Sequence, residues 1–243
     1  MKLQGNKILI TGGATGIGLG LAKRFIEEKN SVIICGRREQ VLKEVADSLP
    51  HVITMTSDLS IEEERYELYN RIRENHPDLD VLVNNAGIQQ WMNITDSDFY
   101  ARAKEEIITN VIAPVHLTSL FVNLKSFKTI INITSGLSFA PMAKVPVYCA
   151  TKAFFHSFTL SAQYLLKPRN IEVIEIIPPA LNTDLGGKGI HDFAPPVSGF
   201  IDSVFEQLKQ QKFQIAYQSS ETRLNASAQQ LREAFNMMNP PQN

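Results

Sequence analysis

The 243-residue chain predicts an α/β fold, an open doubly wound parallel sheet with helices on both faces. Two observations carry that prediction. Seven short runs rich in Val and Ile are apolar at nearly every position, as strands buried on both faces must be. Between them lie amphipathic segments whose Leu, Ile, Phe and Tyr recur at helical spacing. Strand and helix alternate with right-handed crossovers expected, and no linker-like stretch interrupts them, so residues 1–243 read as a single domain. A hydrophobic content of 44% is enough to fill such a core.

The elements follow in order. KILIT (7–11) is the first strand, TGGATGIG is a glycine-rich turn, and GLGLAKRFIEEKN is the first helix. SVIIC (31–35) and HVITMT (51–56) are the next strands, with the helical pattern IEEERYELYNRIREN after them. DVLVNN (80–85), TIINIT (129–134), IEVIEII (171–177) and FQIAY (213–217) complete the sheet. VYCATKAFFHSF (147–158) reads as a buried helix. From Pro178 to Ser198 the chain is dense in Gly and Pro without period, which predicts a long loop or a lid of short helices. A helix is expected over 223–238, and the final NPPQN is expected to fray. The carboxylate runs Glu62 to Glu64 and Glu105 to Glu106 read as solvated helix faces.

A formal net charge of −1, with 24 basic and 25 acidic residues interspersed, points away from nucleic acid and anionic membranes as partners. The two cysteines, Cys35 and Cys149, have no metal-ligand spacing and lie in apolar runs, which suits a reducing, cytoplasmic setting. No run of 18 apolar residues is present to insert in a membrane, and the amino terminus lacks a signal-peptide pattern. The five histidines show no metal motif and read as surface or satisfied residues, so no metal is expected.

Gly12, Gly16 and Gly18 stand between a strand and a helix, spaced G-x-x-x-G-x-G. A turn of this kind lets the backbone approach a pyrophosphate, and the following helix points its unpaired N–H groups at the anion. This is a variant of the dinucleotide fingerprint and makes the fold Rossmann-type. The end of the second strand reads the adenosine ribose in such sites. It carries Gly36, Arg37 and Arg38, two cations and no acceptor carboxylate, so NADP(H) is favoured over NAD(H), with Arg37 on the 2′-phosphate and Arg38 as helper.

Tyr148 and Lys152 lie four residues apart in the buried helix, and on their spacing alone the pair is either packing or chemistry. Other motifs appear in order around it: TGGATGIG (11–18), Asp58 and Leu59 after the third strand, NNAG (84–87) after the fourth, Asn110 in the next helix, and Ser135 thirteen residues before Tyr148. From about residue 5 to about residue 185 the sequence therefore resembles the short-chain dehydrogenase/reductase family, in its shorter single-domain branch. The resemblance implies cofactor contacts from Gly12, the Thr15–Gly16–Ile17–Gly18 backbone, Asp58 and Leu59 by the adenine, and Asn84, Ala86 and Gly87 along the ribose and central strand. It implies Thr183 on the nicotinamide amide, Lys152 on the nicotinamide ribose, Ser135 on the substrate oxygen, and Asn110 in a relay to Lys152. One departure stands out. Ala180 replaces the glycine the family places after the sixth strand, which would restrict the loop if its backbone required glycine.

The chemistry is physically reasonable. A phenol with a pKa of about 10 is ionised in about one molecule in a thousand at pH 7. An ammonium roughly 4 Å away is worth about 4 kcal/mol at an effective dielectric of about 20, which would bring the tyrosine toward neutrality. The expectation is an NADP(H)-dependent enzyme interconverting a small-molecule carbonyl and an alcohol, with Tyr148, Lys152, Ser135 and Asn110 as its catalytic set. The alternative is a non-catalytic cofactor-binding protein that senses redox state or docks a partner. Trp91 and Met92 are candidate substrate contacts or ordinary packing residues, and the resemblance implies a homodimer or homotetramer.

Overall fold

Each of the seven apolar runs forms a strand in the computed structural model, which describes residues 1–241. They are β1 (Lys7–Thr11), β2 (Ser31–Gly36), β3 (Ile53–Thr56), β4 (Val81–Asn84), β5 (Thr129–Ile133), β6 (Glu172–Ile177) and β7 (Gln214–Ala216). All pairings are parallel, in the order β3-β2-β1-β4-β5-β6-β7. β3 starts two residues later than its apolar run because His51 sits at φ 71°, where no strand continues.

Alternation along the strands divides the core in two. Ile8, Ile10, Val32, Ile34, Val81 and Val83 face α1 (Gly16–Glu27), α2 (Glu39–Ser48) and α7 (Val197–Lys209), where Phe25 meets Phe205 edge-on at 4.8 Å. Leu9, Ile33, Leu82, Ile130 and Val173 face α3 (Glu62–Asn75), α5 (Ala113–Phe121) and α6 (Pro146–Leu166). Burial on both faces explains why the strands read as unbroken apolar runs.

α4 (Phe99–Ile107) runs into α5 through a π-helical turn, Ile108–Ile112. Pro114 supplies the reason: it has no N–H to give the carbonyl of Asn110, four residues before it, so the regular ladder is interrupted there. The widened turn carries the buried Asn110.

The Pro178–Ser198 segment takes the loop form of its expectation up to Pro196, and two other expectations change. Between Pro178 and Pro196 the chain forms turns and no helix, with Gly186, Gly187 and Gly189 at positive φ and the loop base closed by Asn182 N–H on Pro195 O at 2.9 Å. The helix expected over 223–238 is two helices, α8 (Ser219–Leu224) and α9 (Ala228–Met238). Ser227 caps α9, its hydroxyl accepting from Gln230 N while the Gln230 side chain accepts the Ser227 N–H, and this reciprocal cap starts a new helix. Asn239, in the tail expected to fray, is tied down instead: it donates to Pro141 O at 2.9 Å and accepts from Ala143 N at 2.6 Å.

Candidate active site

Strand order reverses between β1 and β4, so the loops leaving their carboxyl ends part in opposite directions and open a crevice. One wall is the glycine turn. Gly12 has φ 62°, and a Cβ there would come within 2.9 Å of the Ala86 Cα; at Gly18 it would lie 2.4 Å from the Gly12 carbonyl oxygen. The turn is held by Asn85, a residue the sequence reading passed over. Its Nδ2 donates to Thr11 O and Gly12 O at 2.9 and 3.1 Å, and the Thr11 hydroxyl accepts the N–H groups of Asn85 and Ala86. α1 begins at Gly16 with Thr15 extended and contributing no side-chain cap, which leaves its first N–H groups available to an anion. Thr183 faces this turn from the loop after β6, its methyl 3.3 Å from the Cβ position of Gly16. A backbone cradle with no room for side chains and an uncapped helix start fits a dinucleotide pyrophosphate.

The other predicted cofactor positions are placed unequally. Gly36 faces open space at the end of β2, and the exposed Arg37 and Arg38 beside it form no ion pair among the described residues. Asp58 accepts from Ser60 N and Ser60 Oγ at 2.9 and 2.7 Å, an Asx turn ahead of α3. Leu59 is buried in the second core and Asn84 in the sheet, where its Nδ2 reaches Asn132 Oδ1 at 2.9 Å and Thr118 Oγ1 at 3.2 Å. Both are therefore supports for the crevice rather than side chains lining it. Ala180 is not among the residues with positive φ, so alanine in place of glycine carries no strain.

Tyr148, Lys152, Ser135 and Asn110 come together on the far side of β4, all buried. Pro146 opens α6, so Tyr148 lies in its first turn and Lys152 one turn on. Ser135 lies directly after β5, its hydroxyl accepting from Leu137 N at 3.1 Å. Lys152 Nζ donates to Ile133 O at 2.9 Å and stands 5.7 Å from the centre of the Tyr148 ring. Asn110 brackets Ile88, accepting its N–H and donating to its carbonyl, both at 2.8 Å, and reaches Thr151 Oγ1 at 3.2 Å. Gly87 lies beneath both groups: a Cβ there would be 3.2 Å from Asn110 Oδ1 and 3.7 Å from Lys152 Nζ.

Electrostatics corrects one expectation. Burial pushes the Tyr148 phenol above its ordinary value, with the Ser135 hydroxyl opposing. The ammonium lies over the ring, and the expected lowering of the phenol is not realised. Burial lowers the Lys152 amine to about 8, opposed by the charge of Glu106. Glu106 is itself a second correction. It was expected on a solvated face with Glu105, yet it is 0% exposed, and burial raises its carboxyl to about 7.

The substrate side is closed by parts distant in sequence. Leu185 from the loop after β6 packs with Leu137 and Met142 on Val145, Tyr148 and Cys149. Gly186 approaches the strand end after β4 closely enough that a Cβ would meet Gln89 Oε1 at 2.7 Å and Trp91 Nε1 at 3.2 Å. Met92 is buried, whereas Trp91 is partly exposed. Among the described residues no group of His, Cys, Asp and Glu could hold a metal ion, and no helix is long and apolar enough to cross a membrane.

Comparison with known proteins agrees with this architecture. The family model described as short chain dehydrogenase matches residues 6–192. Over its whole length the chain is 38% identical to an uncharacterized oxidoreductase, DltE, of Bacillus subtilis, covering all of both proteins. A short chain dehydrogenase from Burkholderia cenocepacia, solved in complex with NADP, superposes with a TM-score of 0.84 at 21% identity, covering 99% of this chain and 100% of that one. A 3-ketoacyl-(acyl-carrier-protein) reductase from Brucella melitensis, complexed with NADH, gives a TM-score of 0.76 at 22% identity over 88% and 97% of the two chains. With the family model covering residues 6–192 and a relative 38% identical over its whole length, the chain belongs to the short chain dehydrogenase family of oxidoreductases.

Proposed function

We propose that the protein is an NADP(H)-dependent oxidoreductase that interconverts a small-molecule carbonyl and an alcohol, with Tyr148 as its acid/base. The observation that carries this reading is the gathering of Tyr148, Lys152, Ser135 and Asn110, all buried, beside the dinucleotide crevice. A nicotinamide dinucleotide, when bound, supplies or accepts the hydride. Gly12, the Thr15–Gly18 backbone, Ala86, Gly87, Thr183 and Lys152 are the groups that would hold it. Ser135 holds the substrate oxygen next to the phenol. Tyr148, kept protonated by burial, gives that oxygen its proton in the reducing direction. The Lys152 charge then offsets the negative charge left on the phenol.

Related folds are solved with NADP and with NADH, so the fold does not select the dinucleotide. The choice rests on Arg37 and Arg38, two cations without an ion pair among the described residues, at an open strand end with no carboxylate in the ribose-reading position. A reducing cytoplasmic setting suits the two buried free thiols. A homodimer or homotetramer suits the outer faces of α4, the π-helical turn after it and α6, where Ile107, Ile112 and Phe154 are exposed, whereas Phe155 and Val111 belong to the core.

The test is consumption of NADPH against a panel of ketones and aldehydes. Tyr148→Phe should lose about 10²- to 10⁴-fold in kcat while binding NADPH as before. Tight NADPH binding with no turnover of any carbonyl by the unaltered protein would favour a binding protein instead. Arg37→Asp should move preference toward NADH, and unchanged selectivity removes that arginine from the argument.

A further inference from the structure

Glu106 lies in the last turn of α4, fully buried. Its Oε1 accepts the Gln90 N–H at 3.0 Å, while its Oε2 has no hydrogen-bond partner among the described residues. A buried carboxylate oxygen left unpaired is costly, so its retention calls for a reason. Glu106 and Asn110 are four residues apart and act on one segment: Asn110 brackets Ile88 and Glu106 takes the N–H of Gln90. Together they dock the segment after β4, whose Gly87 lies between Asn110 Oδ1 and Lys152 Nζ, and Asn110 donates to Thr151 Oγ1, so the Glu106–Asn110 face stands against the first turns of α6.

The ionisable groups that feel Glu106 come from two elements. Arg102 and Glu105 stand on its own helix, and Tyr148, Cys149 and Lys152 on the first turns of α6. The docked segment, Ile88 to Gln90, carries no charge. Lys152 has a single hydrogen-bond acceptor, the neutral Ile133 carbonyl, and no ion pair among the described residues.

We propose that Glu106 is a positioning residue of the acid–base centre, the buried counter-charge that keeps the Lys152 amine protonated beside Tyr148. The proposal rests on reading Tyr148 and Lys152 as that centre. Burial drives the Lys152 amine down to about 8, and the charge of Glu106 is what opposes it. Burial drives the Glu106 carboxyl up to about 7, while the Gln90 N–H, Arg102 and Lys152 pull it down. Both groups are therefore charged between those two values. As pH falls through the lower one Glu106 takes up a proton and its hold on Lys152 ends. As pH rises through the upper one Lys152 gives up its proton. Without the carboxylate, burial acts unopposed and the ammonium is lost at lower pH.

Glu106→Gln removes the charge and keeps an oxygen for the Gln90 N–H, so a purely structural role predicts no change in the Lys152 titration. The measurement is the pH titration of the Lys152 side chain by NMR with 13Cε-labelled lysine, assigned by Lys152→Met. In Glu106→Gln the midpoint should fall by about one pH unit, and Glu106→Asp should restore part of it. The reciprocal titration needs no altered Glu106: with 13Cδ-labelled glutamate, Lys152→Met should raise the Glu106 midpoint. Unchanged midpoints in both overturn the proposal. Because neither readout requires turnover, a protein that reduces no carbonyl counts against Tyr148 as the acid/base and leaves the Glu106 result standing by itself.

Discussion

Gly18 and Gly186 both occupy places where a side chain does not fit, but a Cβ would strike different things. At Gly18 it would meet the Gly12 carbonyl at 2.4 Å and the Asn85 amide at 2.5 Å, and that amide is itself pinned to the Thr11 and Gly12 carbonyls. At Gly186 it would meet the ends of two side chains, Gln89 and Trp91. Backbone anchored to a parallel sheet, as Gly12 is through its N–H on Cys35 O at 2.9 Å, cannot retreat, whereas side-chain ends can. The dinucleotide wall of the crevice is thus a rigid backbone surface, and the substrate wall is an adjustable contact between a loop and a strand end. Such a division lets the first bind one cofactor while the second is altered to suit a substrate.

Gly18→Ala attacks the rigid wall and should have the largest effect. The turn must open, so NADPH affinity should fall at least about tenfold, with about 1–3 kcal/mol of stability lost to overpacking. Fluorescence titration of NADPH and thermal melting measure the two. Gly199→Ala, in α7, is the control, since a Cβ there meets only the Tyr217 hydroxyl at an ordinary 3.4 Å, and it should leave NADPH affinity unchanged without loss of stability. Equal behaviour of the two variants would show that the first wall is as yielding as the second.

The same division governs how much of the molecule is legible in its sequence. The strands and the glycine turn are specified by neighbouring residues: an apolar run, a turn, a helix. Tyr148, Lys152, Ser135 and Asn110 come together as the motif order implies, because each lies on or directly after one of those local elements. The break between α8 and α9 was legible too, in the Ser227-x-x-Gln230 cap. Glu106 was not, because a Glu-Glu pair in a charged helix looks solvated, and its burial depends on a strand end folding over it. Its one local signal is the four-residue step to Asn110, which puts both on the inward face. The state of Tyr148 was equally hidden, since spacing does not tell whether the ammonium reaches the phenol oxygen or the ring. The Asn239 clasp joins residues 96 and 98 positions apart, beyond any periodicity.

Gly186→Ala tests the adjustable wall and should act more mildly. At φ 81° an alanine is strained as well as crowded, so the loop should shift away from Gln89 and Trp91. The expected result is a few-fold change in KM for the carbonyl substrate with NADPH affinity unaltered, read from steady-state kinetics and the same titration. A loss of NADPH binding comparable to that of Gly18→Ala would mean that the two walls are mechanically one.

Asn239→Ala should have the smallest effect, and it probes where the substrate wall ends. Asn239 holds the Pro141 and Ala143 backbone through two hydrogen bonds, and Met142 between them packs toward Tyr148 and Cys149. Both bonds are solvent-exposed, so their loss should cost no more than about 1 kcal/mol of stability. Freed from α9, the segment before α6 should admit bulkier ketones, raising the ratio of kcat/KM for large over small substrates while NADPH binding stays as it was. A change in stability without a change in that ratio would place α9 outside the substrate wall, leaving the loop after β6 and the end of β4 as its only movable parts.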